Sequence, residues 1–257
     1  MNDRAPAKKH AIVPDTVRST PRAAPAQGLR PPRVLIGATF VIGAAGRSQL
    51  PPAGPPEIAF AGRSNAGKSS AINALANRTR LAFASRTPGR TQQINFFLLR
   101  SGGYVADLPG YGYAAVALEI KKSWQDFLWE YVSSRDTLAG LVLIVDCRHG
   151  LKELDVALLE RFVPSGRPVL ILATKSDKLN VADKRKAVSD IRAQLKALHP
   201  GHAERIDVLT FSATRRLGIE AADEILANWL GLDADTGANV NATALADSNS
   251  VGGADQG

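Results

Sequence analysis

Eight consecutive residues, Gly62-Arg63-Ser64-Asn65-Ala66-Gly67-Lys68-Ser69, carry the most informative spacing in the chain. They fit the pattern G-x-x-x-x-G-K-S/T, with the apolar run Ile58-Ala59-Phe60-Ala61 before them and a helix-prone segment after. Glycines let a backbone wrap closely enough for its N–H groups to point at phosphate oxygens. The start of the following helix adds a favourable dipole. In such a loop Lys68 pairs with the terminal phosphates of a nucleotide. The Ser69 hydroxyl ligates Mg²⁺, a hard cation that takes oxygen ligands. The competing reading is a Gly-rich strand-to-helix turn with no ligand, and the pattern alone does not dismiss it.

Three further stations follow in order. Asp107-Leu108-Pro109-Gly110 comes after the apolar Tyr104-Val105-Ala106. In this D-x-x-G, Asp107 would hold Mg²⁺ through a water, and the Gly110 N–H would meet the γ-phosphate. Thr174-Lys175-Ser176-Asp177 follows the apolar Val169 to Leu172. A carboxylate there accepts from guanine N1–H and the 2-amino group. Adenine offers neither donor, so it would leave the carboxylate unpaired. The Lys175 stem would lie along the base. Thr174 departs from the usual Asn, and its shorter side chain is expected to support the neighbouring loops less well. Last comes Phe211-Ser212-Ala213, where the Ala213 N–H would meet guanine O6.

The first switch loop falls on Thr87-Pro88-Gly89-Arg90-Thr91-Gln92-Gln93. A loop Thr must reach both Mg²⁺ and the γ-phosphate. Thr91 fits best, with Thr87 second, and Gly89, Arg90, Gln92 and Gln93 would line the nucleotide. A plain Pro-Gly turn is the bland alternative. The catalytic set is therefore Lys68, Thr91 and Gly110, and the metal set is Ser69, Thr91 and Asp107. Directly after Gly110 stands Tyr111, where many GTPases carry a Gln that orients the attacking water. A phenol cannot do that job in the same way, so slow turnover is expected. Asn65 either tolerates a tight turn or holds a K⁺ ion beside the phosphates.

These loops need strands and helices to hold them. Strand patterns cover Ala38 to Ile42, Glu57 to Ala61, Ile94 to Arg100, Tyr104 to Ala106, Gly140 to Val145, Val169 to Ala173 and Val208 to Phe211. Ser101-Gly102-Gly103 closes a hairpin between the third and fourth. Helices are expected after Gly67 and over 118–134, 152–163, 181–198 and 218–230. In 118–134, Ile120, Trp124, Phe127 and Tyr131 make one apolar face. The fold class is α/β: a mostly parallel sheet with one antiparallel hairpin strand and helices on both faces.

The chain has 257 residues and a formal charge of +8. Residues 1–33 are rich in Pro, Ala and Arg, carry +5, and read as a disordered basic tail. Residues 233–257 carry −4 and read as a disordered acidic tail. The domain between them, 34–232, carries +7. Its basicity suits a nucleic acid, an anionic membrane or an acidic protein partner; for RNA, Arg78, Arg80, Arg86, Arg90, Lys121, Lys122, Arg215 and Arg216 are candidate phosphate contacts. Each taken singly is ordinary surface charge. The single cysteine, Cys147, rules out an internal disulfide and reads as buried packing. No apolar run approaches membrane-spanning length, and the N-terminus lacks a secretory signal. A cytoplasmic protein is expected.

GRSNAGKSS (Gly62 to Ser70), TPGRTQ (Thr87 to Gln92), DLPGYGYA (Asp107 to Ala114) and TKSDKL (Thr174 to Leu179) together resemble the EngB/YsxC (YihA) family of bacterial GTPases. That family lies within the TrmE–Era–EngA–EngB–septin group. The resemblance covers roughly 35–230, and Thr174 is similar to this family's own form. It implies a GTPase that binds GTP and GDP with Mg²⁺. It further implies a single-domain protein that assists assembly of the large ribosomal subunit and is needed for cell division and septation. A monomer is expected, with ribosomal RNA or the large ribosomal subunit as partner and no membrane. The alternative is a GTP-sensing module that docks on cell-division proteins with incidental hydrolysis. An ATP-using enzyme is disfavoured by Asp177. The tails inherit nothing from the resemblance.

Overall fold

The structure, a computed structural model, describes residues 33–82, 93–112 and 118–232; for 118–125 it describes the backbone alone. Apart from Arg33, both tails lie outside these residues, as does the segment from Thr87 to Gln92. The strands are β1 (Thr39–Ala44), β2 (Glu57–Gly62), β3 (Ile94–Leu98), β4 (Tyr104–Asp107), β5 (Leu138–Asp146), β6 (Val169–Thr174) and β7 (Ile206–Thr210). The helices are α1 (Lys68–Leu75), α2 (Leu118–Ser134), α3 (Glu153–Phe162), α4 (Val181–Leu198) and α5 (Ile219–Trp229). Among the described residues they match the expected elements with small shifts at the ends.

The strands form one sheet in the order β1-β3-β4-β2-β5-β6-β7. β2, β4, β5, β6 and β7 run parallel, and β3 is antiparallel to both of its neighbours, β1 and β4. The hairpin turn after β3 closes with the Leu99 N–H donating to the Gly103 carbonyl at 2.8 Å. β7 starts two residues earlier than its apolar pattern suggests, because Ile206 pairs with Val169. At Phe211 the chain leaves the ladder to build a loop.

Every residue of β2 and β6 is buried, as strands covered on both faces must be. Their side chains alternate between two cores. Ile58, Phe60, Leu170 and Leu172 pack with Ile72 and Leu75 of α1 and Leu226 of α5. Ala59, Ala61, Val169 and Ile171 pack on the other face with Val132 of α2, Phe162 of α3 and Leu195 of α4. Each large apolar side chain buried this way contributes roughly 1.5–3 kcal/mol. The apolar face of α2 is confirmed where its side chains are described: Tyr131 is buried and Phe127 packs on the same core.

A charged network sits inside, at the start of β2. The Glu57 carboxylate, fully buried, accepts from Arg135 Nε at 2.9 Å and Nη2 at 2.5 Å, Thr137 Oγ1 at 2.8 Å and the Tyr131 hydroxyl at 2.7 Å. This network ties the start of β2 to the end of α2. Losing one partner would leave an uncompensated buried carboxylate. Arg135→Ala should therefore cost about 3 kcal/mol in urea denaturation, and a loss below about 1 kcal/mol, the surface-pair range, would show the pair to be peripheral.

Candidate guanine-nucleotide site

The parallel register brings the C-terminal ends of β2, β4, β5 and β6 to one edge of the sheet. The phosphate loop joins β2 to α1 there. Gly62 is required by close packing, since a Cβ would lie 2.7 Å from the Ile144 carbonyl oxygen on β5. Gly67, at the N-cap of α1, has φ +106°, which a side chain would strain. Asn65 also takes a left-handed conformation, with φ +65° and an exposed side chain.

The D-x-x-G segment lies directly on this loop. Leu108 N–H donates to the Phe60 carbonyl at 2.9 Å, and Ser64 N–H donates to the Tyr111 carbonyl at 2.9 Å. The Ser64 hydroxyl reaches the Gly110 carbonyl at 3.3 Å. Lys68 Nζ forms an ion pair with Asp107 Oδ1, both side chains almost buried. Pro109 is half-buried, and Leu108 is part of the core. A buried carboxylate whose partner here is a flexible lysine, with the Ser69 hydroxyl at the first turn of α1, is a hard oxygen donor set. It fits Mg²⁺.

The base corner is tied to the phosphate corner. The Thr174 hydroxyl lies 2.5 Å from the Ala66 carbonyl and 3.1 Å from the Val145 carbonyl. Thr174 thus braces the phosphate loop directly. Lys175, with φ +56°, donates from Nζ to the Asn65 carbonyl at 2.6 Å and pairs with Asp146 Oδ2 at 3.0 Å. Its stem therefore crosses between the two loops. Asp177 accepts from the Ser212 hydroxyl at 2.6 Å, and this bond holds its carboxyl below the usual range. Ser212 is itself held by Leu217 through paired backbone bonds of 3.1 and 3.0 Å. Ser176 N–H donates to the Phe211 carbonyl at 3.2 Å, and Ala213 follows half-buried.

Gly62 to Ser69, Asp107 to Gly110, Thr174 to Asp177 and Phe211 to Ala213 therefore converge. The Gln93 side-chain amide packs against Gly43 of β1, three strands from β2. Thr87, Gly89, Arg90, Thr91 and Gln92 lie outside the described residues.

Two contacts at the site were not foreseen. Asp146, at the end of β5, is gripped by Arg148 through Nε at 2.9 Å and Nη2 at 2.6 Å. Burial pushes this carboxyl up, but the Arg148 and Lys175 hydrogen bonds outweigh it and hold it well below the carboxylate range. Its signal was available: an acid ending a buried parallel strand faces the ligand edge. The second is Tyr111, which is buried and donates from its hydroxyl to Asp155 Oδ1 at 2.6 Å. Burial, then the Asp155 charge, pushes the phenol well above its ordinary pKa. Burial also raises Asp155, whose other oxygen accepts the Lys152 N–H at 2.9 Å and caps α3. No pattern links positions so far apart. The residue in the water-orienting position is thus turned into the core. Cys147 is likewise buried.

A sheet of this order, with a phosphate loop, a metal-ready aspartate and a guanine-reading aspartate at one edge, defines a P-loop GTPase. Residues 57–175 match the family model described as a 50S ribosome-binding GTPase. The probable GTP-binding protein EngB of Aromatoleum aromaticum is 50% identical over 198 residues, covering 77% of this chain and 90% of that protein. The corresponding protein of Bordetella pertussis is 48% identical over 200 residues, covering 75% and 94%. A crystal structure of a probable GTP-binding protein EngB shares the fold, with a TM-score of 0.56 at 20% identity, covering 68% of this chain and 98% of that one. The chain belongs to the EngB family of GTP-binding proteins.

An Asp177→Asn variant presents a donor where guanine also donates. Fluorescent-GDP titration should show affinity falling at least about tenfold, since hydrogen bonds to charged groups contribute about 1.5–3 kcal/mol. Weak ATP binding should be unaffected, and unchanged GDP affinity would remove Asp177 from base recognition.

Proposed function

We propose that this chain is a slowly hydrolysing GTP switch that uses Mg²⁺ and assists assembly of the large ribosomal subunit, with effects on cell division and septation. The observation that carries the ribosomal part is the match of residues 57–175 to 50S ribosome-binding GTPases. The net basic charge supports an RNA-rich partner. Among the described residues no helix is long and apolar enough to cross a membrane. The reading places the protein in the cytoplasm as a monomeric domain, 34–232, between two tails, cycling between GTP and GDP.

GTPase chemistry is positioning and charge neutralisation at the phosphates. Ser69, Asp107 and Thr91 would hold Mg²⁺, which when bound neutralises phosphate charge. Lys68 moves from Asp107 to the terminal phosphates. The Gly110 and Thr91 N–H groups bind the γ-phosphate. Thr174 and Lys175 keep the phosphate loop in place while Asp177 reads the base. With Tyr111 held on Asp155, no side chain at that position orients water, which supports a slow intrinsic rate. Asn65, exposed and left-handed in the loop, is the residue that would hold a K⁺ ion to supply missing positive charge. Single-turnover hydrolysis should run on the order of 10⁻⁴ to 10⁻³ s⁻¹. Exchanging Na⁺ for K⁺ should speed it, and Asn65→Ala should erase that difference. A rate near about 1 s⁻¹ in the pure protein would overturn the slow-switch reading.

The ribosomal role is tested by sedimentation with purified large subunits. The protein should pellet with them in a non-hydrolysable GTP analogue and stay in the supernatant with GDP. Equal, subunit-independent sedimentation in both nucleotides would remove the role.

A further inference from the structure

Charge is segregated along this chain. From Thr16 to Ala106 there are twelve Lys and Arg residues and one acid, Glu57. Glu57 is buried and paired with Arg135. In the fold, the described part of this stretch builds the β1 side of the sheet together with α1 and the turns after β3 and α1. That side also carries the most exposed apolar groups on the sheet: Phe40 is 59% exposed, Val41 48% and Leu98 38%.

These groups share a rim. Ala38, Ala76, Leu81, Phe97 and Leu99 lie in one buried cluster. Phe40, Arg78, Arg80 and Arg100 stand one or two positions from them in the chain and are exposed. The Phe40 ring packs in a T-shaped contact with Phe97, with centroids 5.8 Å apart, so the exposed ring is held by a neighbour. Arg78 Nη1 donates to the Ala38 carbonyl at 3.3 Å, and the Arg100 guanidinium lies against the backbone at Gly37. Among the described residues none of the three arginines has a carboxylate partner.

An edge strand with an exposed aromatic ring invites either another strand or a stacked base. Strand addition needs a regular ladder, and β1 is interrupted by a bulge between Phe40 and Ile42. Exposed guanidinium groups with no carboxylate partner among the described residues match phosphates. An exposed ring beside them matches an unpaired base, which is how single-stranded RNA is held. We infer that the β1 edge binds unpaired RNA, with Arg78, Arg80 and Arg100 on backbone phosphates and the Phe40 ring under a base. The inference rests on the ribosome-assembly reading and gives that reading a docking face.

The test uses the full chain, a short fluorescein-labelled single-stranded RNA of mixed sequence, and purified large subunits. Phe40→Ala should weaken RNA binding at least about fivefold, the low end for loss of one base–aromatic stack. Phe40→Leu should do the same, and Phe40→Trp should bind like the parent. Arg78→Gln with Arg100→Gln should flatten the slope of log K against log salt by about 1.4, since each phosphate contact contributes about 0.7 on single strands. GDP affinity should be unchanged in every variant, which reports an intact fold. RNA binding unaltered by both Phe40→Ala and the double arginine variant overturns the inference. So does a Phe40→Leu protein that binds as well as the parent. Subunit sedimentation separates the two failures. If the parent and all variants pellet alike, the face is wrong and the ribosomal role stands. If the parent does not pellet, the role itself falls, whatever the RNA titrations show.

Discussion

A parallel sheet buried on both faces has little freedom in its register. Sliding one strand by one residue would turn every apolar side chain to the wrong core. Here that constraint fixes the site. Phe60 pairs with Asp107 on one side and with Val142 on the other, and Asp146 pairs with Thr174. The two aspartates, the threonine and the start of the phosphate loop are therefore brought to the same edge by hydrophobic burial alone. Chemistry at this edge depends on packing far below it.

Within that frame the phosphate and base corners are one mechanical unit. Thr174 and Lys175 both bond carbonyls of the phosphate loop, at Ala66 and Asn65. Asp146 sits beneath Lys175 and is itself gripped by Arg148. A buried polar network of this kind is useful only when each member is satisfied. In this one the lysine, the threonine and the aspartate each find partners across different strands.

Much of this was legible in the chain. Apolar runs and helix periods located all the described strands and helices, because burial on two faces leaves long, unambiguous runs at β2, β5 and β6. The phosphate loop, Asp107 and Asp177 were legible because each needs a fixed local pattern. The bracing role of Thr174 could not be read because its partner, Ala66, is 108 positions away, and a side chain's usefulness depends on what lies opposite it. Tyr111 was identified as unable to orient water, but its bond to Asp155 could not be read, since nothing local in either segment encodes the pairing. The packing of Gln93 on Gly43 of β1 was equally hidden, because it depends on how β1 pairs with β3 and not on any neighbour in sequence.

The Glu57 network fixes where α2 ends. Tyr131 and Arg135 anchor the end of this 17-residue helix to the floor of β2. A helix of this length spans about 25 Å. Its start, Leu118, follows Gly110 by eight residues in the chain. The buried carboxylate at the bottom of the sheet is thus the anchor of α2, set at the end of β2 opposite the phosphate loop.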